Sequence, residues 1–466
     1  MTASHSAPIP PAMLIAATGG DAPERGSDAY AAAVHMMNPR VQHDPAGVIL
    51  AAIPAHVSGA VRFAAQQGLR IAVRSTGHGL WPVGRDTLIV DVSAMNTIHI
   101  DPGHGTATVG PGAVWKDVLA AAASRGFGGL AGSSPTVGTV GFHLGGGIGP
   151  VSRRYGFSAD HVLSFDVVTA DGIHTTVSPH QERELFWALR GGGALAIVTA
   201  MTFALVPGTR LRGGGLYFDE KDAAAVLHRW HDWTHDLPEA FSTSAAVIDI
   251  PGHPRVPEPI RGRRVLHVRY ADVDVEPAVV PPVTSFATPL WGSIGPMRYD
   301  ALGEIHAEPT RAKPTIQDSM LLKELSSSAI DTFLDVSMDD GSALTVRELR
   351  LMGGAMTTPQ REPNAVAGRG AAFLLLAVGD APDTRVQHVG RSLRTVMAGM
   401  EPWSTGGVLG VFAGDARASE RITAAWSIAE QTRLRRIRAA ADPSGMFDPN
   451  LRWASTPDAE MRTAKV

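Results

Sequence analysis

Apolar residues in the first two hundred positions recur at two spacings, which predict alternating helices and strands. Val57, Ala60, Val61 and Ala64 follow the helical spacing, and Gly68 stands where such a helix would end. The next apolar run, 69–73, carries β-branched side chains and is typical of a strand. The same patterns predict helices at 55–67, 112–125 and 182–189 and strands at 69–73, 87–92, 98–101, 106–109, 163–169, 173–177 and 196–206.

The segment 128–149 interrupts this alternation because it is rich in glycine. Glycine disfavours the interior of a helix, so a regular helix is not expected there. We predict a structured loop that wraps a ligand, since small residues allow a backbone to approach its partner closely. Mixed elements in this order favour an α+β domain over a doubly wound sheet.

The pattern changes after Pro207-Gly208, which suggests a second domain. Its proline-rich part, 251–315, gives no assignable pattern. The terminal helix carries four arginines near its end, where cations favour the helix dipole, so a nucleic-acid patch is the less favoured interpretation. The predicted elements are helices at 221–236, 383–399 and 419–440 and strands near 265–270, 345–351 and 371–378.

Composition sets limits on the class of protein. With 466 residues, two domains are expected, and 44% apolar with 18% charged residues fits a globular chain. A net charge of −4 argues against nucleic acid as a partner, and the absence of cysteine excludes disulfides and thiolate chemistry. Neither a signal peptide nor a long apolar run is found, which predicts a cytoplasmic protein without membrane contact and a mobile tail over 1–20.

Candidate chemistry begins in the loop Arg74-Ser75-Thr76-Gly77-His78-Gly79, directly after the predicted strand 69–73. Successive amides in such a loop can cradle phosphate, and a histidine between two glycines has room for a planar partner. Taken alone, Gly-His-Gly is more often a turn with a surface imidazole. The motifs that follow along the chain favour the first interpretation.

These motifs resemble, in the same order, the flavin-binding half of the FAD-linked oxidases of the berberine-bridge-enzyme-like and 6-hydroxynicotine-oxidase type, within the vanillyl-alcohol-oxidase superfamily. The resemblance is dense over residues 40–206 and thinner over 405–453, where Asp442-Pro443 precedes Phe447. The motifs are Gly132-Ser133-Ser134-Pro135-Thr136-Val137-Gly138, Gly141-Phe142-His143-Leu144-Gly145-Gly146-Gly147-Ile148-Gly149, Ser152-Arg153-Arg154-Tyr155-Gly156, Arg190-Gly191-Gly192-Gly193 and Ile197-Val198-Thr199.

The resemblance implies an α+β fold in which a two-part PCMH-type FAD-binding domain, 21–208, precedes an α/β substrate domain with an antiparallel sheet, 209–404. A C-terminal segment, 405–466, returns to the FAD-binding domain. His78 looks like the family's covalent anchor to the flavin 8α-methyl group. The residues implied to bind FAD are Arg74, Ser75, Thr76, Gly77, His78, Gly79, Gly132, Ser133, Ser134, Thr136, Val137, Gly138, Gly141, Gly145, Gly146, Gly149, Val198 and Asn450. His143 could touch the cofactor or be a satisfied structural histidine.

Several departures from the family pattern matter. Ser134 stands where many relatives have a cysteine bonded to flavin C6, so a single linkage is expected. Val137 is at a position where valine accompanies reaction with O2. Thr76 replaces a usual glycine, and Val411 and Phe412 stand where plant relatives carry the base, so neither can take a proton.

The expected function is therefore an FAD-dependent oxidase that takes a hydride from an alcohol, amine or natural-product intermediate and forms H2O2. The alternative is a flavin-bound cyclase or isomerase without net oxidation. We predict a small-molecule substrate and O2 as partners, a monomer or homodimer, and no metal site. The catalytic base stays open, with candidates in the second domain at Tyr217, Tyr270, Tyr299, Arg347, Glu348, Arg350 and Arg369.

Overall fold

The computed structural model describes residues 8–79, 82–208, 210–275, 282–359, 361–413 and 418–447. Within them, helices alternate with four sheets whose strand pairs are mostly antiparallel, which confirms the predicted α+β class. The helices are α1 Pro11–Thr18, α2 Asp28–Ala33, α3 Pro54–Gln67, α4 Trp115–Ala123, α5 Thr139–Leu144, α6 Ser152–Tyr155, α7 Arg183–Leu189, α8 Ala223–Thr234, α9 Ser327–Ser337, α10 Val386–Met400, α11 Ala418–Ala424 and α12 Ile428–Ala441. The strands are β1 Gly47–Leu50, β2 Arg70–Arg74, β3 Thr87–Asp91, β4 Ile98–Asp101, β5 Thr106–Val109, β6 Phe127–Gly128, β7 Val162–Val168, β8 His174–Val177, β9 Ile197–Ala204, β10 Val206–Pro207, β11 Leu211–Asp219, β12 Phe241–Asp249, β13 Arg264–Val273, β14 Trp291–Met297, β15 Thr315–Leu322, β16 Val346–Leu351 and β17 Phe373–Asp380.

The first sheet is parallel, with strand order β1-β3-β2, and α3 packs on it. Val57 and Val61 of α3 share a buried core with Ile71 of β2, as the helical spacing predicts. The end of the described chain returns to this sheet, because the Ile71 N–H donates to the Met446 carbonyl at 2.8 Å and Phe447 is buried in the same core. The C-terminal segment thus extends the hydrogen bonding of β2.

The second sheet is antiparallel, with strand order β4-β5-β9-β7-β8. Trp115 of α4, Phe186 of α7 and Phe203 of β9 are buried in its core. The short strands β6 and β10 pair with each other beside it. Sheets one and two are the scaffold from which the loops of the predicted flavin-binding half project.

The third sheet is antiparallel and has seven strands, in the order β14-β11-β13-β12-β16-β17-β15. One face packs on α8, α9 and α10, with Leu266 and Leu349 in that core. On the opposite face, Ala271 and Val273 join the core that contains Trp115. We call this opposite face the inner face, since it meets the flavin-binding half.

Residues 8–20 contradict the predicted mobile tail. Pro11 begins α1 at its first turn, where its missing N–H costs nothing, and Gly19 ends it with φ 71°. Leu14 is buried against Gly47, and the Ile9 N–H donates to the Ala46 carbonyl at 2.8 Å. The domain boundaries at 208 and 404 stay predictions.

Several other helices and strands differ from the sequence expectations. The segment 128–149 contains the helix α5, whose sequence TVGFHL holds a single glycine, so the glycine-rich prediction was too broad. The predicted helix 419–440 is divided between α11 and α12, because the Ser427 hydroxyl and the Glu430 carboxylate form a capping box that begins a new helix. Strands β11, β12, β14 and β15 and helix α9 were not predicted. Within the described residues, no helix is long and apolar enough to cross a bilayer.

Candidate functional site

The loop that follows β2 holds the imidazole of His78 between two hydroxyl groups. Its Nδ1 lies 2.8 Å from Thr76 Oγ1, and its Nε2 lies 3.3 Å from Thr136 Oγ1. Gly77 adopts φ 77°, and a Cβ there would lie 2.7 Å from the His35 carbonyl oxygen, so only glycine fits this turn. The sequence therefore fixes both the direction and the partners of the imidazole.

The protonation state of His78 follows from its surroundings. Although the side chain is exposed at the surface, the nearby loops reduce its hydration and lower its pKa below the ordinary value, an effect that the charge of Glu308 partly opposes. A lowered pKa keeps the imidazole neutral at physiological pH. Neutral imidazole is the nucleophilic form.

The loop 132–138 lies directly beside this histidine loop. Ser134 Oγ is 3.2 Å from Thr136 Oγ1, which in turn contacts His78. From the other side, the Ser75 hydroxyl donates to the Pro111 carbonyl at 2.7 Å and lies 3.3 Å from the Cβ position of Gly138. The two loops thus form one continuous polar surface around His78.

The glycine run that ends at residue 149 is fitted tightly to its neighbours. Gly146 and Gly147 have φ of 98° and 73°, and a Cβ on Gly149 would lie 1.9 Å from the Ala131 carbonyl oxygen. Val411 closes over Gly145, whose Cβ position is 2.2 Å from Val411 Cγ1. Packing within the protein therefore requires these glycines, and their contact with FAD stays a prediction.

Gly149→Ala is expected to lower the free energy of unfolding by about 2 kcal/mol or more, since overpacking against rigid backbone typically costs about 1–3 kcal/mol. Gly141→Ala is the matched control, because its Cβ position has nothing within 4 Å. Inside α5, alanine should be neutral or stabilising by about 0.5–1 kcal/mol. Urea unfolding of both variants is the measurement, and equal stabilities would contradict the packing argument.

The inner face of the third sheet, which meets the flavin-binding half, carries a cluster of charged side chains. Cross-strand register places Glu348 opposite Ala246 and Leu376, and Arg350 opposite Ser244 and Leu374. Small side chains on β12 leave a hollow between the larger polar groups of β13 and β16.

Glu348 is the centre of this cluster. Its carboxylate lies 3.1 Å from Arg269 Nη1, 3.1 Å from Arg350 Nη2 and 3.5 Å from His306 Nε2. Burial acts to raise the pKa of Glu348, but the two arginines and His306 outweigh it and hold the pKa well below its usual range. The carboxylate is thus ionised and is a poor base.

Comparisons with known proteins agree with this geometry. Residues 45–178 match the family described as FAD binding domain. This part of the chain is similar in sequence to an FAD binding domain. The chain is 39% identical over 141 residues to (R)-6-hydroxynicotine oxidase of Paenarthrobacter nicotinovorans, which covers 29% of this chain and 30% of that protein. The chain thus matches about a third of the length of such curated relatives.

Two solved structures show that the fold extends over nearly the whole chain. A variant of BBE-like 1 of Physcomitrella patens has a TM-score of 0.83 at 20% identity and covers 96% of this chain and 100% of that chain. The glucooligosaccharide oxidase of Acremonium strictum, whose structure is described as containing a 6-S-cysteinyl, 8α-N1-histidyl FAD, has a TM-score of 0.78 at 20% identity and covers 94% and 97%. The predicted resemblance to this type of FAD-linked protein is confirmed.

The remaining residues predicted to contact FAD fall into several environments. Arg74 is ion-paired to Asp91 at 2.8 Å, so its guanidinium is held by the scaffold. Val198 is buried in β9, Gly132 packs against Phe142, and Asn450 lies outside the described residues. Their roles in binding FAD stay predictions.

His143 has the environment of a structural histidine. It is fully buried, stacks on Trp115 with ring centroids 5.4 Å apart, and its Nδ1 lies 2.8 Å from the Thr139 carbonyl. Burial lowers its pKa to about 4. We therefore do not include it among the candidate cofactor contacts.

The candidate catalytic residues are separated by the structure. Glu348 and Arg350 lie on the inner face, and Tyr217 is stacked there on His267 with ring centroids 3.8 Å apart. Arg369 is bound elsewhere by Asp160 at 2.5 Å. Arg347 points into the helix layer and bonds to Asp249.

The other two candidate tyrosines, Tyr270 and Tyr299, are buried. Tyr299 packs so closely against Gly128 that a Cβ there would lie 2.5 Å from its ring. The Tyr270 hydroxyl donates to Asp272 at 2.6 Å, and burial raises the pKa of both phenols.

Sequence reasoning missed three inner-face residues, His267, Arg269 and His306. His306 follows the short helical turn Tyr299–Ile305 in the proline-rich stretch, where no periodicity marks it. Period-two alternation along 265–271 would have placed His267 and Arg269 on one face, but only cross-strand register brings them to Glu348.

Proposed function

We propose that this protein is an FAD-linked oxidase of small molecules that holds its flavin through a single covalent bond to His78. The observation that carries the proposal is the exposed neutral imidazole of His78, fixed between Thr76 and Thr136 inside an FAD-binding domain. The histidyl linkage named for the glucooligosaccharide oxidase supports it. Ser134 lies next to Thr136 and has no thiol, so a second linkage of the cysteinyl kind is not proposed.

The chemistry that bound FAD supplies is two-electron oxidation, with O2 as the final acceptor and H2O2 as its product in an oxidase. The residues proposed to hold FAD are those of the loops 74–79 and 132–138 and of the glycine run 141–149. Val137 is half-buried in the wall between these loops, where we propose that it leaves space for O2. The substrate would lie between these loops and the inner face.

We assign the role of general base to His306. Its Nε2 lies 3.5 Å from a Glu348 carboxylate oxygen and 3.4 Å from Arg350 Nη2, and we propose that the carboxylate holds the proton on Nε2. Its Nδ1 then carries a lone pair and has no hydrogen-bond partner among the described residues. Burial and the charge of Arg269 lower the pKa of His306, so the base is neutral and ready near pH 7.

Turnover of a panel of alcohols and amines tests the proposal. A true substrate should bleach the flavin without O2 and yield one H2O2 per substrate in air. The rate of bleaching should fall as the pH drops through the lowered pKa of His306, because the protonated imidazole cannot accept a proton. His306→Gln should be slower by at least about a hundredfold and should lose this acid limb.

Product formation without bleaching or peroxide would overturn the oxidase assignment and support a cyclase or isomerase. That alternative is not favoured, since two of the proteins to which the chain is similar are named as oxidases. A cytoplasmic location and a monomeric or homodimeric state stay predictions.

A further inference from the structure

A pocket separates the end of the glycine run from the inner face. Gly149, Pro150 and Arg153 form the wall on the FAD-binding side. The opposite wall comes from the third sheet and the 305–306 turn, and includes Ser244, Arg269, His306 and Arg350. The pocket therefore lies where a substrate would meet both the cofactor loops and the proposed base.

Positive charge exceeds negative charge around this pocket. Arg269 and Arg350 share the single carboxylate of Glu348. Arg153 is buried too, and within the described residues its guanidinium donates only to carbonyl groups, those of Leu237, Phe241 and Met352. Glu239 acts on Arg153 only through its charge, without a hydrogen bond, so the pocket retains excess positive charge.

Hydrogen-bond donors in the same pocket are unused. Ser244 Oγ and the Nε and Nη1 atoms of Arg269 have no hydrogen-bond partner among the described residues, and these side chains are 3% and 5% exposed. Arg269 Nη1 is within ion-pair distance of Glu348, but it makes no hydrogen bond there. Buried donors without a partner are costly, particularly on a charged group. An anion that accepts from them would remove this cost.

The rest of the lining is apolar and surrounds the charged end. Ile148, Ala271, Ile305, Leu351 and Met356 contribute aliphatic or thioether surface. The cavity volume is only about 20 Å³, so we infer that the pocket takes the anionic end of a ligand whose hydrocarbon body extends out of it toward the cofactor loops. A carboxylate accepts strong, charge-assisted hydrogen bonds from an arginine.

We propose that this pocket binds substrates that carry a carboxylate on an apolar body, with Arg269 and Ser244 as the donors to that carboxylate. The inference rests on the proposed function in that the ligand would be the substrate of the FAD site. It adds a substrate class, organic carboxylates. Oxidase activity by itself does not require that the substrate carry a carboxylate. His306 lies at the same pocket, where it would face a C–H or X–H group of the bound acid.

Calorimetric titration of the purified flavin-loaded protein with benzoate and with benzamide tests the proposal without turnover. Benzoate should bind, and the uncharged isostere should bind at least about tenfold more weakly, since charge-assisted hydrogen bonds are about twice as strong as neutral ones. Ser244→Ala should weaken benzoate binding by about threefold to tenfold. Arg269→Gln should weaken it further, while binding of benzamide stays unchanged.

Arg298→Gln is the matched charge control, because Arg298 is exposed and pairs with Asp300 outside the pocket. Its affinity for benzoate should equal that of the wild type. Equal binding of benzoate and benzamide, or wild-type affinity in Ser244→Ala and Arg269→Gln, would overturn the proposal. The proposal would also fail if the wild type did not bind benzoate and Arg269→Gln lost its bound flavin. That result would assign the donors to the cofactor.

Failure of this proposal can be distinguished from failure of the oxidase proposal. Covalent flavin and peroxide formation from an uncharged substrate would keep the proposed function and reject the carboxylate class. Benzoate binding by a protein that forms no peroxide would do the reverse.

Discussion

His78→Ala is expected to eliminate the covalent bond between the polypeptide and its flavin. Acid precipitation of the wild type should leave the yellow chromophore in the protein pellet, whereas the variant should release all flavin into the supernatant. The reason is that the proposed nucleophile is the imidazole held between Thr76 and Thr136, and alanine offers none. Absorbance of pellet and supernatant, with mass analysis of the flavin-bearing peptide, is the measurement.

Two variants control this experiment. His99→Ala removes an exposed histidine from β4 in the same half of the chain and should retain all covalent flavin. Ser134→Ala tests the neighbouring hydroxyl, which is not expected to form a covalent bond to the flavin. This variant should also retain all covalent flavin. Flavin that stays in the pellet of His78→Ala, or leaves the pellet of the wild type, would refute the assignment.

Local periodicity predicted many elements of the flavin-binding half of the fold. The helix predicted at 55–67 is observed as α3 Pro54–Gln67, and the strand predicted at 87–92 is observed as β3 Thr87–Asp91. The helix α3 buries one apolar face on the first sheet, and β3 is a continuous apolar run buried on both faces, so the pattern and the packing agree. Gly68, with φ 65°, ends α3 as predicted.

The third sheet was harder to predict because its packing overrides its local preferences. β11 contains Gly213, Gly214 and Gly215, which weaken a strand signal. Yet Gly215 is required there, since a Cβ would lie 2.1 Å from His267 Nε2. Gly215 makes room for a polar group of the inner face, a reason that only the neighbouring strand supplies.

The candidate site was likewise divided between local and non-local information. The loop of His78 is a local turn, and its motif could be recognised in sequence. The pairing of β12 with both β13 and β16 brings Arg269 to Glu348, and the turn Tyr299–Ile305 carries His306 to the same carboxylate. These residues are far apart in the chain. No local pattern specifies that register. The sequence therefore predicted the cofactor loops, while the proposed base and anion donors came from the structure.

Glu348→Gln is expected to lower the free energy of unfolding at pH 7 by about 3–5 kcal/mol, because removal of one partner leaves buried charges uncompensated. In the variant, Arg269 and Arg350 would face each other across a neutral amide. Glu184→Gln is the matched control: Glu184 also accepts from two arginines, Arg433 and Arg436, but at the surface. Its loss should cost less than about 1 kcal/mol.

The pH dependence of stability supplies an independent check on the Glu348 ion pair. Because the folded pKa of Glu348 is depressed, its stabilising contribution is fully present above its unfolded pKa of about 4.3 and declines as the pH falls toward the folded value. The difference between wild type and Glu348→Gln should therefore be constant from about pH 6 to 8 and shrink below about pH 4. Urea unfolding across this range measures it. A difference that does not change in acid would mean that the introduced amide destabilises the fold by its shape, and that the charge of Glu348 does not hold the inner face together.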